Sequence, residues 1–126
     1  MKVINIDDVK GREITIPGMT RTLKDVLVTK NMTTHLGIIP PGQMSSRHNH
    51  SESEEITYVV SGEGMVTAGP EEERDWDKIP NREKKILKPN YMVYVPPGPY
   101  HQYRSTGKEN LILFVAYSPP AEVPKK

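Results

Sequence analysis

Apolar and β-branched residues along this chain gather in runs of four to eight, cut apart by Gly, Pro, Asn and Ser. Such runs read as strands, because branched side chains pack well on a pleated surface and the bounding residues favour turns. They lie at residues 12–16, 22–29, 33–39, 55–60, 64–68, 84–87, 92–95 and 111–117. Twelve prolines and nine glycines in 126 residues leave little room for long helices. The pattern predicts an all-β sandwich or barrel. There is no repeat of fixed period, although Pro40-Pro41-Gly42 and Pro96-Pro97-Gly98 mark two similar turns.

The charged stretch 69–85, GPEEERDWDKIPNREKK, breaks this rhythm. It reads as a solvated hairpin extension, with a lid or recognition loop as the alternative. Trp76, the only tryptophan, is expected to anchor that loop or to pack between subunits. Residues 1–12 and 118–126 are expected at the periphery, the latter (SPPAEVPKK) as a frayed terminus.

Composition narrows the classes. Leu, Ile, Val and Phe number 28 of 126 residues, just above the roughly 20% below which chains rarely bury enough apolar surface to fold. One domain over residues 1–126 is expected, with a core thin enough to gain from burying more surface between subunits as a homodimer. With no cysteine, disulfides, thiolate metal sites and cysteine nucleophiles are excluded. A net charge of +1 gives no basic field for nucleic acid. The longest apolar run, 111–117, is far short of the roughly 20 residues that span a bilayer. The opening MKVINIDDVKGRE has no apolar stretch of a signal peptide, so no membrane role and a cytoplasmic location are expected.

Candidate chemistry sits in the histidines. His48 and His50 are two apart, which on an extended chain puts both imidazoles on one face. Glu55 follows at the entrance to an apolar run, and His101 comes three residues after Gly98. Neutral imidazoles with a carboxylate suit a divalent transition metal. Glu54 is the rival acid; alternation lets only one of the neighbouring pair point inward, and Thr57 and Val59 share the parity of Glu55.

These windows resemble the paired motifs of the cupin superfamily. The first, at 42–62, reads Gly42, five residues, His48-Asn49-His50, four residues, Glu55, six residues, Gly62. The second, at 90–105, reads Asn90, five residues, Pro96-Pro97-Gly98, two residues, His101, three residues, Ser105. Asn90 and Ser105 replace the Gly and Asn of the family pattern, and Asn still tolerates a left-handed turn. The resemblance implies a double-stranded β-helix (a cupin or jelly-roll barrel), commonly dimeric, holding one divalent metal per chain (Fe, Mn, Ni, Zn or Cu). By that resemblance the ligands are His48, His50, Glu55 and His101.

Such a set leaves positions open for a small substrate that chelates through two oxygens. Three histidines and a glutamate resemble the sites of cupin oxygenases, which places oxidation slightly ahead of isomerase, decarboxylase or lyase chemistry. A non-catalytic sensor and a purely structural metal are the alternatives. If residues 44–48 are extended, Met44 and Ser46 share the parity of His48, just as Tyr103 and Ser105 share that of His101. Tyr103 is a weak catalytic candidate or a barrel-filling residue. His35 is expected to be a partly buried, hydrogen-bonded histidine, with acid–base work as its outside role. Arg47 and Arg104, on the opposite parity, are expected at the surface.

Overall fold

The structure is a computed structural model that describes residues 1–16, 19–69 and 83–120. A single 3₁₀ turn, Ile6–Asp8, is capped by the Asn5 side chain, which accepts from the Asp7 N–H. Everything else that is regular is strand: β1 (Arg12–Ile16), β2 (Met19–Val28), β3 (Thr33–Ile39), β4 (Glu54–Ser61), β5 (Gly64–Gly69), β6 (Glu83–Leu87), β7 (Met92–Val95), β8 (Tyr100–Ser105) and β9 (Leu111–Ser118). No helix among the described residues is long and apolar enough to cross a membrane.

Six strands form one antiparallel sheet in the order β1-β2-β3-β9-β4-β7, and three form a second in the order β6-β5-β8. The core between them is Ile39, Val59, Val66, Leu87, Tyr103, Leu111, Leu113, Val115 and Tyr117, with Val93 packed against it. These side chains come from β3, β4, β5, β6, β7, β8 and β9, and Leu111, Leu113, Val115 and Tyr117 of β9 alternate as a period of two requires.

Turn chemistry sets the register. Pro40-Pro41-Gly42-Gln43 closes with Gln43 N–H on Pro40 C=O, and Lys88-Pro89-Asn90-Tyr91 closes with Tyr91 N–H on Lys88 C=O. Each has proline second and a positive-φ residue third, Gly42 at 78° and Asn90 at 74°, the arrangement of a type II turn. Asn90 therefore does the work of the glycine it replaces. Gly62 (φ 84°) has no substitute, because a Cβ there would stand 2.2 Å from the Asn110 carbonyl oxygen.

The structure departs from the sequence expectations in places that matter. β2 begins at Met19 rather than residue 22, because Ile16 pairs with Met19 in the first hairpin. β8 has no apolar signature: its buried positions include His101, Gln102 and Ser105, and pairing with β5 makes it a strand. The expected peripheries are shorter, since Arg12 opens β1 and Ser118 closes β9. Trp76 and residues 70–82 and 121–126 lie outside the described residues.

Candidate metal centre

Two windows half a chain apart are zipped together by backbone. Gly42 N–H reaches Ser105 C=O, Ser105 N–H reaches Gln43 C=O, Ser45 N–H reaches Tyr103 C=O, and His48 and His101 exchange both bonds. Gly98 N–H closes on His50 C=O at 2.9 Å. Met44 faces Arg104 and His48 faces His101, so residues 45–47 oppose only residues 102 and 103. This is a β-bulge, which re-aims the side chains it carries. The Gln102 side-chain amide fills the gap by donating to Ser45 C=O at 2.7 Å.

The bulge overturns one parity expectation. Ser45 is buried and lines the pocket, whereas Met44 and Ser46 are half-buried and do not. Ser46 supports the site from outside: its carbonyl accepts from His48 Nδ1 at 2.9 Å. That bond puts the proton on Nδ1 and leaves Nε2 as the free donor atom. Burial, with His101 nearby, lowers the His48 pKa to about 3, so the ring is neutral near pH 7.

β4 delivers Glu55, 1% exposed, beside three imidazoles. The ligand atoms of His48, His50, Glu55 and His101 all lie within 4.8 Å of one another. Glu55 Oε1 is 3.3 Å from both His50 Nε2 and His101 Nε2. Oε2 is held on the other side, accepting from Tyr103 Oη at 2.7 Å and Thr57 Oγ1 at 3.0 Å. Burial pushes the Glu55 carboxyl up, but hydrogen bonding to His101 and His50 outweighs it and keeps the group ionised. Burial and the Glu55 charge raise Tyr103 well above the usual phenol range, so it stays a donor. Glu54 faces solvent, accepting from Tyr94 Oη at 2.7 Å.

The set fits a divalent ion. Donors bound at about 2.1 Å stand at most about 4.2 Å apart, so these four close on an ion with shifts of a few tenths of an ångström. The buried His50 Nε2 stands 3.3 Å from the Glu55 carboxylate oxygen, so nitrogen and oxygen face each other across the space that an ion would share. Carboxylate partners such as Tyr103 and Thr57 orient donors before metal arrives.

A pocket opens beside the cluster, with about 420 Å³ of empty space, its mouth included. His48, His50 and Glu55 share its wall with Leu23, Ile39, Leu113 and Val115. His101, 0% exposed, stands behind them. Besides Ser45 and Tyr103, three further polar residues line it: Arg21, His35 and Tyr117. His35 is buried as expected, but its Nδ1 has no hydrogen-bond partner, because its neighbour is the ring edge of Tyr117 at 5.8 Å. Burial lowers its pKa to about 4. Tyr117 stacks on His50 at 4.7 Å, and burial lifts its phenol to about 12. Arg47 and Arg104 are half-buried and outside the lining. Sequence reading missed Arg21 and Tyr117; the only signal for either was parity, Arg21 with Leu23 and Tyr117 with Val115.

A cupin-domain family profile matches residues 35–117. The chain belongs to the cupin family. This cupin is 27% identical over 109 residues to an uncharacterised protein of Methanocaldococcus jannaschii, covering 86% of this chain and 72% of that one. A predicted oxalate decarboxylase from Thermotoga maritima superposes with a TM-score of 0.76 at 18% identity, over 93% of this chain and 98% of that one. A candidate sugar phosphate isomerase from Acidithiobacillus ferrooxidans superposes with a TM-score of 0.71 at 25% identity, over 91% and 71%. The fold is the double-stranded β-helix of these proteins, and the His-His-Glu-His cluster can hold a metal ion.

Proposed function

We propose that this cupin is a metal-dependent enzyme acting on a small, oxygen-rich substrate that chelates one divalent ion held by His48, His50, Glu55 and His101. The observation that carries the reading is the convergence of those four donors within 4.8 Å, three of them at the wall of a pocket. When bound, a redox-active ion supplies electron transfer with dioxygen, and zinc supplies Lewis acidity alone. We place oxidation slightly ahead of isomerase, decarboxylase or lyase chemistry, because three imidazoles and one carboxylate resemble the sites of cupin oxygenases and oxidases.

The chain's own residues do the rest. Ser46 holds the His48 tautomer, and Tyr103 with Thr57 holds the Glu55 carboxylate. Leu23, Ile39, Leu113 and Val115 limit water around the reacting groups. His35, neutral near pH 7, is placed to accept a proton within the same pocket.

The test is elemental analysis of untagged protein purified without chelators. About one Fe, Mn, Ni or Cu per chain, lost in His48→Ala, supports the oxidative reading and leads to oxygen-consumption assays with hydroxy-acids. Zinc at the same ratio redirects the screen to isomerisation and lyase chemistry. Protein that stays empty after reconstitution overturns the metalloenzyme.

A second copy of this chain is the partner that the outer face of the large sheet supports. Ile56, Tyr58 and Val60 of β4 and Met92 and Tyr94 of β7 are exposed there. They continue across Phe114 and Ile112 of β9 to Leu36 and Ile38 of β3, which pair in register. Charge is confined to the edges of this band, at Glu54 beside Tyr94 and Lys24 beside Leu36, so the surface that complements it best is its own copy in a two-fold arrangement.

A further inference from the structure

Arg21 is the one buried cation among the described residues, 6% exposed, on the inward parity of β2 with Leu23. Its guanidinium has five N–H donors, yet among the described residues it makes a single side-chain hydrogen bond, Nη2 to Ser46 Oγ at 3.3 Å. Arg21 forms no ion pair there either. Glu55, the one buried acid, is committed to Tyr103, Thr57 and the histidines, while Asp25 pairs with Arg12 at 2.9 Å. A buried charge left unpaired is strongly unfavourable, so the site is built around something that arrives. Burial and the Arg12 charge lower the Arg21 pKa only to about 10, and the group stays charged near pH 7.

Two more buried polar atoms lack partners in the same pocket wall: His35 Nδ1 and Tyr117 Oη. The other polar residues of the wall, Ser45 and Tyr103, are already hydrogen-bonded, so these atoms and the Arg21 fork are the polar groups with unused capacity for a ligand beyond the His-Glu cluster. Charge gives the ligand's sign. A divalent ion, Arg21 and Glu55 sum to about +2, which a small anion neutralises and a neutral polyol does not.

We infer that Arg21 and Tyr117 form an oxyanion subsite, so that the substrate is a small organic acid whose carboxylate or phosphate is gripped by the Arg21 fork while its other oxygens face the His48–His50–Glu55–His101 cluster. This rests on the metal-dependent reading of the cluster and narrows its substrate class. A planar guanidinium takes two oxygens of one anionic group at once, which lysine does not.

The experiment is calorimetric titration of metal-loaded protein with glycolate, with ethylene glycol as its uncharged counterpart and with inorganic phosphate. Wild type is compared with Arg21→Met, Arg21→Lys and Tyr117→Phe, and metal content is measured for each. Arg21→Met is expected to keep its metal and to lose at least tenfold in affinity for the anion, with Arg21→Lys intermediate and Tyr117→Phe weaker by a few-fold. Ethylene glycol binding should be the same in all four. Glycolate favoured over phosphate assigns a carboxylate, and the reverse assigns a phosphate ester.

Unchanged anion affinity in Arg21→Met with full metal overturns the subsite and leaves the metal reading standing. Should wild type hold no metal, phosphate titration of the metal-free protein separates the two ideas. Binding lost in Arg21→Met keeps the subsite, and equal binding removes it. If Arg21→Met does not fold, the Lys and Phe variants decide: no loss in either overturns the proposal.

Discussion

The two faces of β4 invert the usual arrangement of a half-buried strand. Glu55, Thr57 and Val59 point inward and are buried, whereas Ile56, Tyr58 and Val60 point outward and are exposed. A structural sandwich would have the reverse, with apolar residues in the core and polar ones in water. The inner face tolerates polarity because the Glu55 oxygens meet Tyr103, Thr57 and two imidazoles. The outer face tolerates apolarity only if something covers it. In one strand, then, buried polarity marks the candidate site, and exposed apolarity is what the proposed association with a second copy rests on.

The largest test of this contrast is at the inner face. His101→Ala should reduce metal content from about one ion per chain to near zero, with the far-ultraviolet circular dichroism of the sheets kept and the mass in solution unchanged. Retained metal would detach His101 from the cluster. The complementary change is Ile56→Lys with Tyr94→Lys, two outward residues that pair across β4 and β7. It should weaken self-association at least a hundredfold by analytical ultracentrifugation while leaving metal content as it was. A wild type that sediments as a single chain at high micromolar concentration would remove the second copy as partner.

Protonation probes the inner face by a different route. The folded pKa of His35 is about 4, below an ordinary value of 6.5. Between these values the unfolded chain binds a proton that the folded one does not, so stability falls as pH drops from 6.5 towards 4. The window corresponds to about 3 kcal/mol at roughly 1.4 kcal/mol per unit. Metal-free wild type should therefore lose about that much more than His35→Phe between pH 7 and pH 4 in denaturant titrations. Parallel profiles would mean that His35 takes up its proton as readily in the fold as in the unfolded chain.

The smallest effect is expected one residue from Glu55. Glu54→Gln, on the solvent side of β4, should change stability by no more than about 0.5 kcal/mol, as exposed polar pairs do, and leave the metal in place. Loss of metal there would shift the ligand from Glu55 to its neighbour.

Much of this was readable in the chain. Strand positions follow from runs bounded by turn residues. The choice of Glu55 over Glu54 follows from alternation, since Thr57 and Val59 continue its face. The tolerance of Asn90 follows from its ease in the left-handed region, where its φ is 74°. β8 was harder to read: with buried His, Gln and Ser, only its pairing with β5 reveals it.

What the sequence determined by itself is local: which stretches are extended, where they turn, and which residues share a face between turns. Spacing placed His48, His50 and Glu55 in one short window, and the second motif placed His101 after a turn. Tertiary structure alone decided what lies across the barrel from them. Arg21, His35 and Tyr117 reach the pocket from β2, β3 and β9, brought together by a local β2–β3 hairpin and by β3–β9 pairing over a long sequence separation. It alone placed the bulge that puts Ser45 into the wall and turns Met44 and Ser46 away. Parity is a property of one strand, and it survives only until a bulge or a partner strand resets it.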